Sequence, residues 1–166
     1  MCRGKSLSIK ALDKAGVETR VSLPLRFGGT RQPSVWQVDA DKAFRLVIKN
    51  RDEFSNFWKR FTDPLPPGKW VPPLPEFDFS KEMIVVAAMG RRPSPGFGVM
   101  VDGACEVDGQ VEVFVTSVED GPCMPVPAVV TAPADLVRLP RTDLPVVFRE
   151  SQLPCTEALK LFQRVP

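Results

Sequence analysis

The chain of 166 residues contains no histidine and no tyrosine. The first absence removes every histidine-dependent triad, every histidine-containing zinc site and the commonest general acid–base side chain. The second removes the phenol as acid, base or nucleophile. An enzyme built on this sequence would have to work with Asp, Glu, Lys, Cys or Ser alone, so the sequence reads as non-catalytic. Cysteine is scarce as well, at Cys2, Cys105, Cys123 and Cys155. None stands in a C-x-x-C pair, which argues against a zinc ribbon or a thioredoxin-type dithiol. Neither a metal nor a cofactor is expected. No apolar run reaches the roughly 18 residues needed to span a bilayer. No apolar stretch follows Met1-Cys2-Arg3-Gly4-Lys5-Ser6, so a signal peptide is not expected within this sequence.

What is present belongs to one folded domain. Hydrophobic residues make up 43% and charged residues 25%, values that fit neither a disordered nor a membrane class. Net charge is +2, and the basic residues come in short pairs such as Lys59-Arg60 and Arg91-Arg92. No basic stripe forms, and a nucleic-acid partner is not expected. Eighteen prolines are about twice the usual share of roughly 5%. Many prolines beside many valines favour strands joined by stiff loops.

Residues 1–16 are polar and mixed in charge, and are expected to be loosely ordered, with residues 17–166 forming a single domain. Alternation at Val21, Leu23 and Leu25 predicts a strand over 17–27, and shorter strands are expected at 35–38 and 44–48. One strong helix follows. Asn50 can cap it, and Glu53 stands where its carboxylate reaches back to the cap. Phe54, Phe57, Trp58 and Phe61 then fall at i, i+3, i+4 and i+7, an aromatic stripe that reads as packing on a sheet, the alternative being a ligand groove. Pro64 ends the helix. The proline-rich stretch 64–75, around Gly68-Lys69-Trp70, reads as a stiff crossover or, alternatively, as a polyproline ligand for an aromatic groove. It is no phosphate loop, because Asp63 occupies the position of the first glycine. Residues 83–89 are apolar throughout and read as a central strand buried on both faces. Alternation at Phe97-Val99-Val101 and Val111-Val113-Val115, with Asp108-Gly109 between, predicts a β-hairpin. Further strands are expected at 126–132, 136–139 and 146–148, the last two joined by a turn over 140–145. The fold class is α+β, predominantly antiparallel β, as a sandwich or half-open barrel with one amphipathic helix packed on the sheet.

The cysteines bear on compartment. Cys2 suits a lipoprotein whose mature chain begins at the lipid-bearing cysteine, which would place the protein in the bacterial envelope, in the periplasm or at the cell surface. The alternative is a cytoplasmic protein in which Cys2 has no such role. Cys123 and Cys155 lie in Pro-flanked loops and form the preferred disulfide, the alternative being reduced, buried thiols. Cys105 falls in a strand pattern and reads as a small buried hydrophobe.

The order of elements carries a resemblance. Phe57-Trp58 on the helix precede Asp78-Phe79-Ser80-Lys81-Glu82-Met83, then Gly90, Arg92-Pro93 and Gly96-Phe97, and later Thr131-Ala132-Pro133 and Leu136-Val137-Arg138-Leu139-Pro140. Across roughly 44–150 this pattern is similar to the PrcB C-terminal domain family, found mainly in bacterial envelope proteins and lipoproteins. Where that family usually has Thr-Gly-Gly-Tyr, this chain has Ser94-Pro95-Gly96-Phe97, so a role resting on the tyrosine hydroxyl does not transfer. The resemblance implies an accessory or stabilising role in a protease complex, with another protein as partner.

Two functional classes follow. The first is a non-catalytic interaction module whose contact surface includes Arg91, Arg92, Pro93, Pro95 and Phe97, a stiff loop with two guanidiniums and an aromatic ring. The competing reading of the same loop is a connection shaped only to join two strands. The second class is a carboxylate-based enzyme or small-ligand binder using Asp78 and Glu82, which would converge only if the backbone turned between them. A stoichiometric protease inhibitor stands between the two.

Overall fold

The run of apolar residues at 83–89 has no polar face to show to water, and the fold covers both of its sides. In the computed structural model, β3 (Glu82–Ala88) lies between β2 (Phe44–Ile48) and β6 (Ala134–Pro140), antiparallel to each, in a three-stranded sheet. The structure describes residues 5–7, 40–62, 74, 76–119, 121, 123 and 125–157. The strands expected at 17–27 and 35–38, the crossover around Trp70, Cys2 and the side chain of Phe61 lie outside these residues.

Alternation along β3 divides the core in two. Ile84, Val86 and Ala88 face helix α1 (Arg51–Thr62) and pack with Phe54, Phe57 and Trp58. Met83, Val85 and Ala87 face the second sheet and pack with Val101, Val111, Val113 and Val115. That second sheet has four strands in the order β1 (Lys5–Leu7), β4 (Gly98–Val107), β5 (Gln110–Val118) and β7 (Val146–Gln152). The described residues thus form three layers, helix on sheet on sheet, and neither sheet is closed into a barrel among them. The sandwich expectation holds. Within the segment expected to be loosely ordered, Lys5–Leu7 pairs antiparallel with Ala104 to Glu106 of β4.

The helix begins as its sequence dictates, with one shift. The Glu53 amide donates to Asn50 Oδ1 at 2.8 Å, the capping bond. The Glu53 carboxylate accepts from the Lys49 amide at 3.1 Å, one residue before the cap rather than at the cap itself. Phe54 is central to the ring cluster, with centroids 5.7 Å from Trp58, 5.0 Å from Phe77 and 6.0 Å from Phe79. The hairpin forms where Asp108-Gly109 predicts it. Both residues have positive φ, 49° and 75°, as the tight two-residue turn with the hairpin twist requires.

Three features depart from expectation. Residues 126–132 form no strand; only Thr131 makes a bridge, to Arg92. Pro125, Pro127 and Pro133 lack the amides a ladder needs. The turn at 140–145 does not fold β7 back on β6 but carries the chain from one sheet to the other, and β7 then pairs parallel with β5. A parallel pair needs a long connection, and β6 on the opposite sheet supplies it.

The two sheets are also joined by polar side chains. Asp135, buried on β6 with the parity of Val137 and Leu139, accepts the Val101 amide at 2.8 Å beside the bulge in β4 between Val101 and Gly103. At one open side of the sandwich, Arg45 on β2 grips Glu150 on β7 through two nitrogens, at 2.8 and 2.9 Å. The same guanidinium donates to the Phe44 and Ala88 carbonyls.

Candidate interaction surface

The loop 91–97 leaves β3 through Gly90, whose φ of 72° and close approach to the Lys42 backbone admit only glycine: a Cβ there would stand 2.6 Å from the Lys42 carbonyl carbon. The loop is tied down on both sides. The Arg91 amide donates to the Ala40 carbonyl at 3.1 Å. Arg92 and Thr131 exchange backbone hydrogen bonds at 2.7 and 2.9 Å, and the Thr131 hydroxyl donates to the Ser94 carbonyl at 3.0 Å.

The two arginines part company. The Arg92 guanidinium turns inward, 3.4 Å from Glu119 and 5.8 Å from the centroid of the Phe97 ring. Phe97 in turn packs over Gly121. Arg91 is half-exposed and points the other way, toward Asp41 at 3.4 Å. Of the five sequence candidates, Arg92 and Phe97 are therefore brought together as a partly covered stack, while Arg91 and Pro93 face solvent. Pro95 is half-buried and bridges to Phe97.

The residues that hold this stack were not singled out as site residues by sequence reasoning. Glu119 sits at the end of β5 and also receives the Ser117 hydroxyl at 3.4 Å. With Gln152, Leu153 and Pro154 it lines a shallow cleft of about 300 Å³, in which it is the one carboxylate among the described lining residues. Thr131 carried a signal, as the start of the Thr131-Ala132-Pro133 run; Glu119 carried none, because its partner is 27 residues away.

Asp78 and Glu82 are positioned by a turn, since the Asp78 carbonyl accepts the amides of both Lys81 and Glu82 at 2.9 Å. Their carboxylates nonetheless take separate partners. Asp78 accepts the Ser80 amide and hydroxyl and pairs with Lys81 at 3.0 Å. The Ser80 hydroxyl, with Lys81 beside it, holds the Asp78 carboxyl below its ordinary range. Glu82 pairs with Arg138 at 3.0 Å, and that guanidinium lies 5.5 Å from the Phe77 ring centroid. No group of three or more metal-ligating side chains occurs among the described residues.

Cys123 and Cys155 form a disulfide with Cα atoms 5.8 Å apart, as preferred from the sequence. Cys105 is a buried thiol on β4.

Residues 83–140 match the family model described as PrcB C-terminal. The matched stretch runs from β3 through β6 and includes the whole 91–97 loop, a narrower span than the 44–150 over which the sequence pattern is similar. No curated protein and no solved structure matches the chain.

Proposed function

We propose, on the PrcB C-terminal character of residues 83–140, that this protein is a non-catalytic interaction module, an accessory or stabilising component of an envelope-associated protease complex. The family match is the observation that carries the reading. The site chemistry agrees with it: the two candidate carboxylates each serve a cation of their own rather than a shared centre. The Cys123–Cys155 bridge suits an oxidising compartment such as the periplasm or cell surface. A lipid on Cys2 would tether the module there, and mass spectrometry of the N-terminal peptide from native membranes tests that separately.

The contact surface proposed is the outer side of the 91–97 loop. Arg91 and Pro93 present a charge and a rigid apolar ring to a partner, while Arg92 and Phe97 fix the loop from within. Affinity capture from native membranes should compare the wild type with Arg91→Glu and with Lys81→Glu, a charge reversal at the opposite end of β3. Arg91→Glu is expected to lose the partner and Lys81→Glu to keep it. Retention of the partner by Arg91→Glu would remove the loop as the contact site.

A further inference from the structure

Val129 and Val130 are the most exposed large apolar side chains among the described residues, at 43% and 49%. They belong to Pro125-Val126-Pro127-Ala128-Val129-Val130, a segment that pairs with no strand yet is anchored at both ends. Before it, Cys123 is bridged to Cys155. After it, Thr131 is buried and exchanges two backbone hydrogen bonds with Arg92. Inside it, the Val129 amide donates to the Pro127 carbonyl at 2.9 Å, a tight turn that sets Ala128 at the apex. Prolines at 125, 127 and 133 limit the conformations such a segment loses on binding. A clamped, protruding run of small aliphatic residues has the form of a substrate held ready.

We propose that residues 125–130 enter the active-site cleft of a serine endopeptidase as a substrate-like loop, with Ala128 in a specificity pocket for small aliphatic side chains. The inference rests on the protease-association reading above and names the surface and partner specificity it would use. The register follows from the backbone. The turn already joins the Pro127 carbonyl to the Val129 amide, so a cleft pairs with the alternate residues on either side of Pro127. Pro127 has no amide to donate, so it takes the non-pairing place, and Val126 and Ala128 take the pairing ones. Alanine at the primary position calls for the small pocket of an elastase-type enzyme. The disulfide makes such a loop persistent. Hydrolysis between Ala128 and Val129 would leave a carboxylate on one and an amine on the other, but the two pieces would stay joined through Cys123 and Cys155 and could not diffuse apart.

The test titrates the purified full chain against an elastase and against trypsin, with a chromogenic peptide reporting residual activity. The wild type is expected to inhibit elastase stoichiometrically and to leave trypsin untouched; Ala128→Arg is expected to reverse both results. Nicked protein should run as one chain without reductant and as two with it. Failure of the wild type to inhibit elastase together with failure of Ala128→Arg to inhibit trypsin overturns the loop assignment, as does rapid turnover of both as ordinary substrates. The association reading is judged apart. A protease captured equally by wild type and Ala128→Asp leaves association standing and removes the loop; capture of no protease by the wild type removes association itself.

Discussion

At the scale of single residues, most of what was legible in the sequence concerned burial. Phe54, Phe57 and Trp58 are all buried against the three-stranded sheet, as their helical spacing predicts. Phe54 touches three other rings, so Phe54→Ala should destabilise by about 3–5 kcal/mol in urea unfolding. A much smaller loss would mean that the ring cluster collapses to fill the space. Polar partnerships were harder to read, because Arg92 finds Glu119, and Arg45 finds Glu150, only after the chain has folded. Asp78 is a local exception, its partners lying two and three residues on. Its carboxyl is held low by the Ser80 hydroxyl first. A carboxyl lower in the folded than in the unfolded state favours folding above the unfolded value, and that contribution disappears as pH falls through the folded value. An NMR titration should find Asp78 below the exposed aspartates, and Ser80→Ala should move it upward.

At the scale of elements, the sequence told strands from helix but not every strand from every loop. The hairpin was legible because its turn needs two positive-φ residues and Asp108-Gly109 supplies them. Residues 126–132 misled because valines suggest a strand while the prolines between them withhold the amides. Sheet membership was not legible at all for β7: alternation shows that a face is buried, not which strand lies alongside. Two glycines separate backbone conformation from space. At Gly109 an added Cβ meets nothing, so Gly109→Ala should cost only the strained φ, about 1 kcal/mol. Gly90→Ala adds a collision with the Lys42 backbone and should cost clearly more, loosening the start of the 91–97 loop as well. Equal melting temperatures for the two variants would contradict this.

At the scale of the molecule, the bridge spans a sequence separation of 32 and encloses β6 and β7, one strand from each sheet. On the chain-entropy estimate it stabilises by about 3–4 kcal/mol. Denaturation of the Cys123→Ser/Cys155→Ser variant should show a loss of that order, and reduction of the wild type should reproduce it. A negligible loss would mean that the β5–β7 ladder and the Arg45–Glu150 pair hold the last strand without help.

The parallel ladder between β5 and β7 has a consequence for how the chain comes off the ribosome. The hairpin of β4 and β5 can form as soon as residue 118 is free, but its neighbour on the far side starts only at Val146. At about 5–20 residues per second, the intervening stretch of roughly 30 residues takes about 2–6 s to synthesise. Throughout that interval the outer edge of β5 is bare, with unpaired amides and carbonyls open to any passing strand. Nascent chains crowded on one message would therefore be most exposed to one another during that interval, and a chain stopped near residue 140 would carry that open edge for good.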